Sequence, residues 1–259
     1  MKDLGEQWVL SYLFNRKLIV FLSEVFPLLP VIAKIFALQF SLLSLANSSR
    51  KVIELSILII LIGASLTLIP EKIIFLRGAQ EEMFLKLLQL QTAPNPHDIV
   101  KWMFEHGVDA TIKSYGFNIE ELLQVSMQGT MPISKWTSRL NSPLLSQPGH
   151  NQYFSNLKHA AYTNTKKILF LNRGVDISRP LSAQNDCFWW GYQNFSLINK
   201  PYSTFKRIVR GYQSNENNDL EHSKNRILCT LFKQPLENKK ILAGIFSKNG
   251  DIIELFESK

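Results

Sequence analysis

Residues 22–34 read Leu22-Ser23-Glu24-Val25-Phe26-Pro27-Leu28-Leu29-Pro30-Val31-Ile32-Ala33-Lys34, an apolar run that carries an acid, two prolines and a lysine. Whether such a stretch lies in lipid or in a packed core decides the fold. From Leu18 to Ala46 the only charges are Glu24 and Lys34, and from Val52 to Pro70 the only one is Glu54. The second run, Ile53 to Ile69, has the length of about 17 to 25 residues that crosses a hydrocarbon core. Within it Ile57 to Ile62 is apolar on every helical face, which argues against a buried amphipathic pair. Pro27 and Pro30 each remove a backbone donor, so the first span is expected to bend. Only Asn47-Ser48-Ser49-Arg50-Lys51 separates the runs. The two helices are therefore expected to return antiparallel as a hairpin.

Folding the hairpin back assigns depths to its charges. Lys34 precedes Ala46 by twelve positions, about 18 Å at the helical rise, which is near the middle of a bilayer. Glu24 falls opposite Glu71 and Lys72 at the far interface, and Glu54 lies beside Arg50 and Lys51. Lys34 alone lacks a partner, which is costly at that depth unless it faces a protein interior, water or a snorkelling path. Self-association with Lys34 inward is one expectation. Ser44-Leu45-Ala46 has the small residues of a cleavage site, but the preceding apolar region is long and contains charge and proline, so retention is expected. The flanks carry Lys2, Arg16, Lys17, Lys72, Arg77 and Lys86 against Arg50 and Lys51 in the turn, so both termini are expected to face the cytoplasm.

Charge divides the remaining chain. Residues 77–126 hold 4 basic and 7 acidic side chains, and residues 127–259 hold 18 and 9. Such a basic portion favours anionic partners or is simply solvated surface. Cys187 and Cys229 are too few for a disulfide framework and form no Cys-x-x-Cys pair.

Residues 77–126 read as a helical subdomain. Gly78 to Leu88 has one apolar face. Asn95 with Pro96 opens a helix that Gly107 ends, and Asn118 with Glu121 resembles a capping box. Residues 127–165, with Gly129, Pro132, Pro143, Pro148 and Gly149, read as connector. From 166 to 259 strands are expected over 167–172, 187–197, 205–212, 226–233, 240–247 and 251–256. Asn249-Gly250 is a type I′ hairpin signal pairing Lys248 with Asp251, with apolar residues on both faces. The whole is an α+β membrane protein: a two-helix transmembrane hairpin (1–76), a helical subdomain (77–126), a connector (127–165) and a mainly antiparallel β domain (166–259).

No Gly-rich phosphate loop, His-Glu-x-x-His or Gly-x-Ser-x-Gly is present, and His97, His106, His150, His159 and His222 have no metal-ligand spacing with the cysteines. No catalytic residue, metal or cofactor is assigned. Three features suit a ligand. Arg173 and Arg179 flank a strand-end loop that suits a phosphate, unless Asp176 pairs locally with one of them. Lys206, Arg207 and Arg210, interleaved with Tyr202, Phe205 and Tyr212, suit nucleic acid or an ordinary solvated edge. Trp189 and Trp190, within Asp186-Cys187-Phe188-Trp189-Trp190-Gly191-Tyr192, suit a flat ligand or a core. Cys187 as nucleophile with His222 as base is the weakest of these candidates.

A two-span hairpin beneath a soluble recognition domain resembles, in architecture, the membrane-disrupting effectors of bacterial antiviral abortive-infection systems. The resemblance implies a sensor whose basic head binds a nucleotide, nucleic acid or protein and whose hairpins, as homo-oligomers, perturb the bilayer. An accessory subunit docked into a larger membrane complex is the alternative.

Overall fold

The computed structural model describes residues 8–14, 17–23, 73–146, 150–184, 186–191, 198–210, 227–230, 242–247 and 249–257. Glu24, Lys34, Glu54 and the rest of the expected hairpin from 24 to 72 lie outside these residues, as does His222. Among the described residues no helix is long and apolar enough to cross a membrane. The chain divides into two compact units, one spanning residues 79–156 and one drawing on residues 8–23, 73–78 and 157–257.

The first unit is helical: α1 (Ala79–Leu87), α2 (Pro96–Glu105), α3 (Val108–Ser114), α4 (Ile119–Val125), α5 (Thr130–Ser146) and α6 (His150–Asn156). Pro96 occupies the first turn of α2, where its missing N–H costs nothing. Gly107 follows at φ +87°. Asn118 caps α4 by accepting from the Glu120 N–H at 2.7 Å and, at longer range, the Glu121 N–H. The Glu121 carboxylate instead grips Arg139 on α5 through two hydrogen bonds of 2.7 and 3.1 Å. Phe84 stacks against Tyr115 and Phe154 with centroids 5.8 and 5.4 Å apart.

Helix α5 corrects the connector assigned to residues 127–165, for it is a 17-residue helix. Pro132 lies among the first residues of α5, whose N–H groups lack intrahelical partners in any case. Pro143 lies in its last turn, where it interrupts little. Along the helix Ile133, Trp136, Thr137, Leu140 and Leu144 recur at helical spacing and are buried. Burial of that stripe outweighs the prolines.

The second unit holds two sheets. The first has the order β3-β2-β1-β8-β9 and is antiparallel throughout: β1 (Trp8–Phe14), β2 (Lys17–Ser23), β3 (Ile73–Phe75), β8 (Leu242–Phe246) and β9 (Ile252–Glu257). Leu18–Ser23, assigned by sequence to the start of the first membrane helix, is here the body of β2. Seven apolar-rich residues do not distinguish helix from strand by themselves, and β1 supplies the hydrogen-bond partner one tight connection away. The expected register of β8 and β9 holds from Leu242↔Glu257 to Ile245↔Glu254 and then slips, setting Phe246 opposite Ile252. The turn is not the expected two-residue type. Gly250 donates to the Ser247 carbonyl at 3.0 Å, Ser247 N–H donates to the Asp251 carbonyl at 2.9 Å, and Gly250 takes φ +92°. This is a three-residue loop with its last residue left-handed.

The second sheet has the order β4-β5-β6-β7: β4 (Ala160–Tyr162), β5 (Ile168–Leu171), β6 (Arg207–Arg210) and β7 (Leu228–Thr230). β4 is antiparallel to β5, but β5, β6 and β7 run parallel, which narrows the mainly antiparallel expectation to the first sheet. All four residues of β5 and of β6 are buried, as two-sided cover of a parallel sheet requires. One face meets the β8–β9 hairpin through Phe170 and Phe246, edge to face at 5.9 Å. On the other, Leu169, Leu171 and Ile208 join Val175, Phe188 and Trp189 in an apolar cluster. The latter two residues sit on α7 (Cys187–Trp190), a helical turn where the sequence suggested a strand over 187–197. Asp186 opens this turn, its carbonyl accepting from the Trp190 N–H at 3.0 Å, and the aromatic run then buries one side.

Candidate functional site

The parallel register pairs Leu171 with Arg210 at the carboxyl ends of β5 and β6. In open parallel sheets, ligands sit beyond these ends. The chain leaves β5 through Asn172, buried at 2% exposure, and Arg173, whose N–H donates to the Phe188 carbonyl at 2.8 Å. A side chain at Gly191 would meet Cβ and Cδ of Arg173 within 4 Å, so Arg173 lies against the exit of α7.

The loop beyond is held by a buried polar knot. Asp176 accepts from Ser178 N–H at 2.9 Å and Ser178 Oγ–H at 2.6 Å, and its other oxygen is ion-paired with Arg179 Nε at 3.1 Å. Gln184 Oε1 accepts from the Asp176 N–H at 2.7 Å, while Nε2 donates to the carbonyls of Asp176 and Arg179 and to the Tyr202 oxygen. The Tyr202 hydroxyl donates in turn to the Arg179 carbonyl at 2.6 Å. Burial pushes the Tyr202 phenol above its ordinary range, so it remains a donor at neutral pH. The local pairing considered for Asp176 is thus the one observed, and Arg179 is engaged with it.

The remaining predicted residues separate. Arg207 and Arg210 are both buried rather than lying on a solvated edge. Three positions apart on a strand, they face opposite sides of the sheet. Arg207 turns toward the hairpin and donates through Nε to the Gly250 carbonyl. Lys206 pairs with Asp251 at 2.8 Å, and that hydrogen bond holds the Asp251 carboxyl below its ordinary range. Arg210 shares the face of Ile208 and the aromatic cluster. Trp189 is buried in that cluster and Trp190 packs at its edge, so neither forms an open stacking platform. Cys187 lies at the start of α7 with its thiol pushed up, first by burial and then by Asp186, the reverse of what a nucleophile needs.

Sequence reading counted Arg77 only among the charges flanking the hairpin and named His159 only for lacking metal spacing. The two are brought together by a parallel bridge between Leu76 and Lys158. The Arg77 guanidinium carbon lies 6.0 Å from the centroid of the Trp189 ring, and the His159 ring meets it edge-on at 5.0 Å. The apolar run Ile73-Ile74-Phe75-Leu76 preceding Arg77 was the hint of a strand there.

Among the described residues no three His, Cys, Asp or Glu gather as a metal site. No known protein family, curated protein or solved structure matches the chain. The parallel register sets Arg210 at the same end as the loop that begins with Arg173, and Arg179 in that loop is ion-paired with Asp176.

Proposed function

We propose that the chain is a membrane-anchored sensor and effector whose head binds a small anionic ligand beyond the carboxyl ends of β5 and β6, and whose apolar hairpin acts on the inner membrane. The observation that supports the head's role is the Leu171↔Arg210 register, which brings Arg173 and Arg210 to one end of the aromatic face. A nucleotide-sized anion fits better than a nucleic-acid strand. Strand binding needs an exposed run of cations and aromatic faces, whereas Arg207 is engaged by Gly250, Lys206 by Asp251, and Trp189 is buried. The anchor is supported by the 17 residues from Ile53 to Ile69, whose only charge is Glu54.

The test uses the full chain. Expressed in bacteria, it should sediment with membranes and depolarise them on induction, with Lys34→Leu abolishing depolarisation. Purified in uncharged detergent, it should bind nucleotides in equilibrium dialysis, and Arg173→Gln should weaken binding about tenfold or more. A chain that stays in the supernatant, or nucleotide binding indifferent to Arg173, overturns the proposal. Persistent co-purification with a large membrane complex, without depolarisation, favours an accessory subunit instead.

A further inference from the structure

We infer that the turn joining β4 to β5, with the start of β6 beside it, is a basic surface that rests on an anionic lipid leaflet. Backbone hydrogen bonds bring the two segments together. Thr163 N–H donates to the Ile168 carbonyl at 3.1 Å and Lys166 N–H to the Thr163 carbonyl at 2.8 Å, which closes the turn. Lys206 N–H then donates to the Lys167 carbonyl at 2.8 Å, and Thr204 Oγ1 to the Lys166 carbonyl at 3.2 Å. Lys166, Lys167 and Lys206 are therefore set on one edge, at the amino ends of β5 and β6, and all three are exposed. Lys206 pairs with Asp251, whereas Lys166 and Lys167 form no ion pair among the described residues. Tyr162, the last residue of β4, is 50% exposed, with its ring 6.1 Å from that of Phe205.

The makeup of this edge selects its partner. Its unpaired cations are lysines, point charges on flexible stems, while the arginine here, Arg207, is buried and donates to the Gly250 carbonyl. Such lysines are attracted to a diffuse layer of anionic headgroups without the fixed geometry that one phosphate demands. An exposed tyrosine suits the headgroup level, where its ring and its hydroxyl meet different surroundings. A nucleic-acid strand needs several stacking faces, whereas Tyr202 and Phe205 are buried and leave Tyr162 as the exposed aromatic of this edge among the described residues. The chain also tethers the edge to the apolar run. Leu76, seven residues beyond Ile69 and so at most about 25 Å of extended chain, bridges to Lys158, which leads into β4. The turn at Thr163 lies five residues further, about 17 Å of strand. The inference rests on the membrane anchor proposed above, which brings a leaflet within that reach.

The experiment places the full chain in nanodiscs of phosphatidylglycerol or of phosphatidylcholine and measures, by mass spectrometry, how fast a water-soluble acetylating ester modifies each lysine. Lys166 and Lys167 should react about fivefold more slowly, or slower still, in the phosphatidylglycerol discs. Salt at high concentration should abolish the difference. Combining Lys166→Gln with Lys167→Gln should return Lys206 to its phosphatidylcholine rate. Equal rates in the two lipids, a difference indifferent to salt, or slowing shared equally by the exposed Lys101 and Lys135 of the helical unit overturns the surface. So does a Lys206 that stays protected in the double variant. Protection by a single-stranded oligonucleotide, without any by phosphatidylglycerol, overturns the leaflet in favour of a nucleic-acid partner. A chain that proves not to be anchored defeats the preceding proposal, and the same comparison with vesicles added to the soluble chain then tests this edge. Arg173 is intact throughout, so failure here and failure of the nucleotide site are distinguishable.

Discussion

Gln184→Leu should release the loop that carries Asp176 and Arg179. Gln184 is 1% exposed, and its amide is oriented without ambiguity because Oε1 must face the Asp176 N–H at 2.7 Å. Its two Nε2 hydrogens are shared among the Asp176 carbonyl at 2.7 Å, the Arg179 carbonyl at 3.0 Å and the Tyr202 oxygen at 3.1 Å. Leucine fills a similar volume but leaves the N–H and the C=O of Asp176 without these partners, at about 1–3 kcal/mol each. Allowing for the apolar gain of the leucine, a net loss of about 3 kcal/mol is expected, or roughly 6–12 °C in melting temperature for a chain of this size. Tyr202→Phe, which removes the 2.6 Å bond to the Arg179 carbonyl, should cost about 1 kcal/mol. The double variant should lose less than the sum, because both side chains serve the Arg179 carbonyl. Thermal unfolding gives the totals, and hydrogen exchange locates the effect at the amides of 176–179. A Gln184→Leu protein that melts within about 2 °C of the parent, with unchanged protection at those amides, would refute the assignment of this network as the loop's anchor.

Gly250→Ala should cost about 1 kcal/mol or slightly more in denaturant unfolding, since Gly250 holds φ +92° while a Cβ there would make only ordinary contacts of 3.6–3.7 Å. The Glu121 carboxyl is lowered from its ordinary value of 4.5, chiefly by its hydrogen bond from Arg139. A lowered carboxyl contributes stability above the ordinary value and loses it as pH falls through the lowered one. Glu121→Gln should therefore lower stability modestly and evenly between pH 6 and 8, flatten the acid limb of the profile and converge on the parent at low pH, as urea midpoints across pH will show. Cys187, pushed up from 9.0 by burial first, should alkylate at neutral pH more slowly than a free thiol, and peptide mapping with iodoacetamide that finds it faster would show an activated environment.

The sequence revealed elements whose signals are local. Asn118 capping α4, Pro96 opening α2, and the β8–β9 pairing as far as Ile245 rest on a cap, a fixed φ and an alternation that neighbours in sequence decide. It failed where a distant partner decides. Arg207 looks solvated because charge usually is, yet the Gly250 carbonyl, 43 positions away, receives its Nε and makes burial tolerable. The aromatic run at 187–190 fits a strand or a helical turn equally, and the face of β5 and β6 against which Phe188 and Trp189 pack selects the turn. Prolines 132 and 143 suggested a connector because composition does not reveal that both sit near the ends of α5, where they do least harm.

The same distinction explains why the candidate sites were half legible. Arg173 was found because it directly follows a strand, a relation visible in sequence. That Arg210 ends its strand at the same edge depends on a parallel register, since in an antiparallel pair the carboxyl end of one strand meets the amino end of the other. Parallel pairing requires a long crossover, and residues 172–206 supply it, carrying α7 onto the face that Arg210 shares. The crossover that makes the sheet parallel thus also brings the Trp189 indole to that face, beside Arg77 and His159. Charge composition could indicate a preference for anions, but only the direction of β6 relative to β5 determines which cations meet at one end.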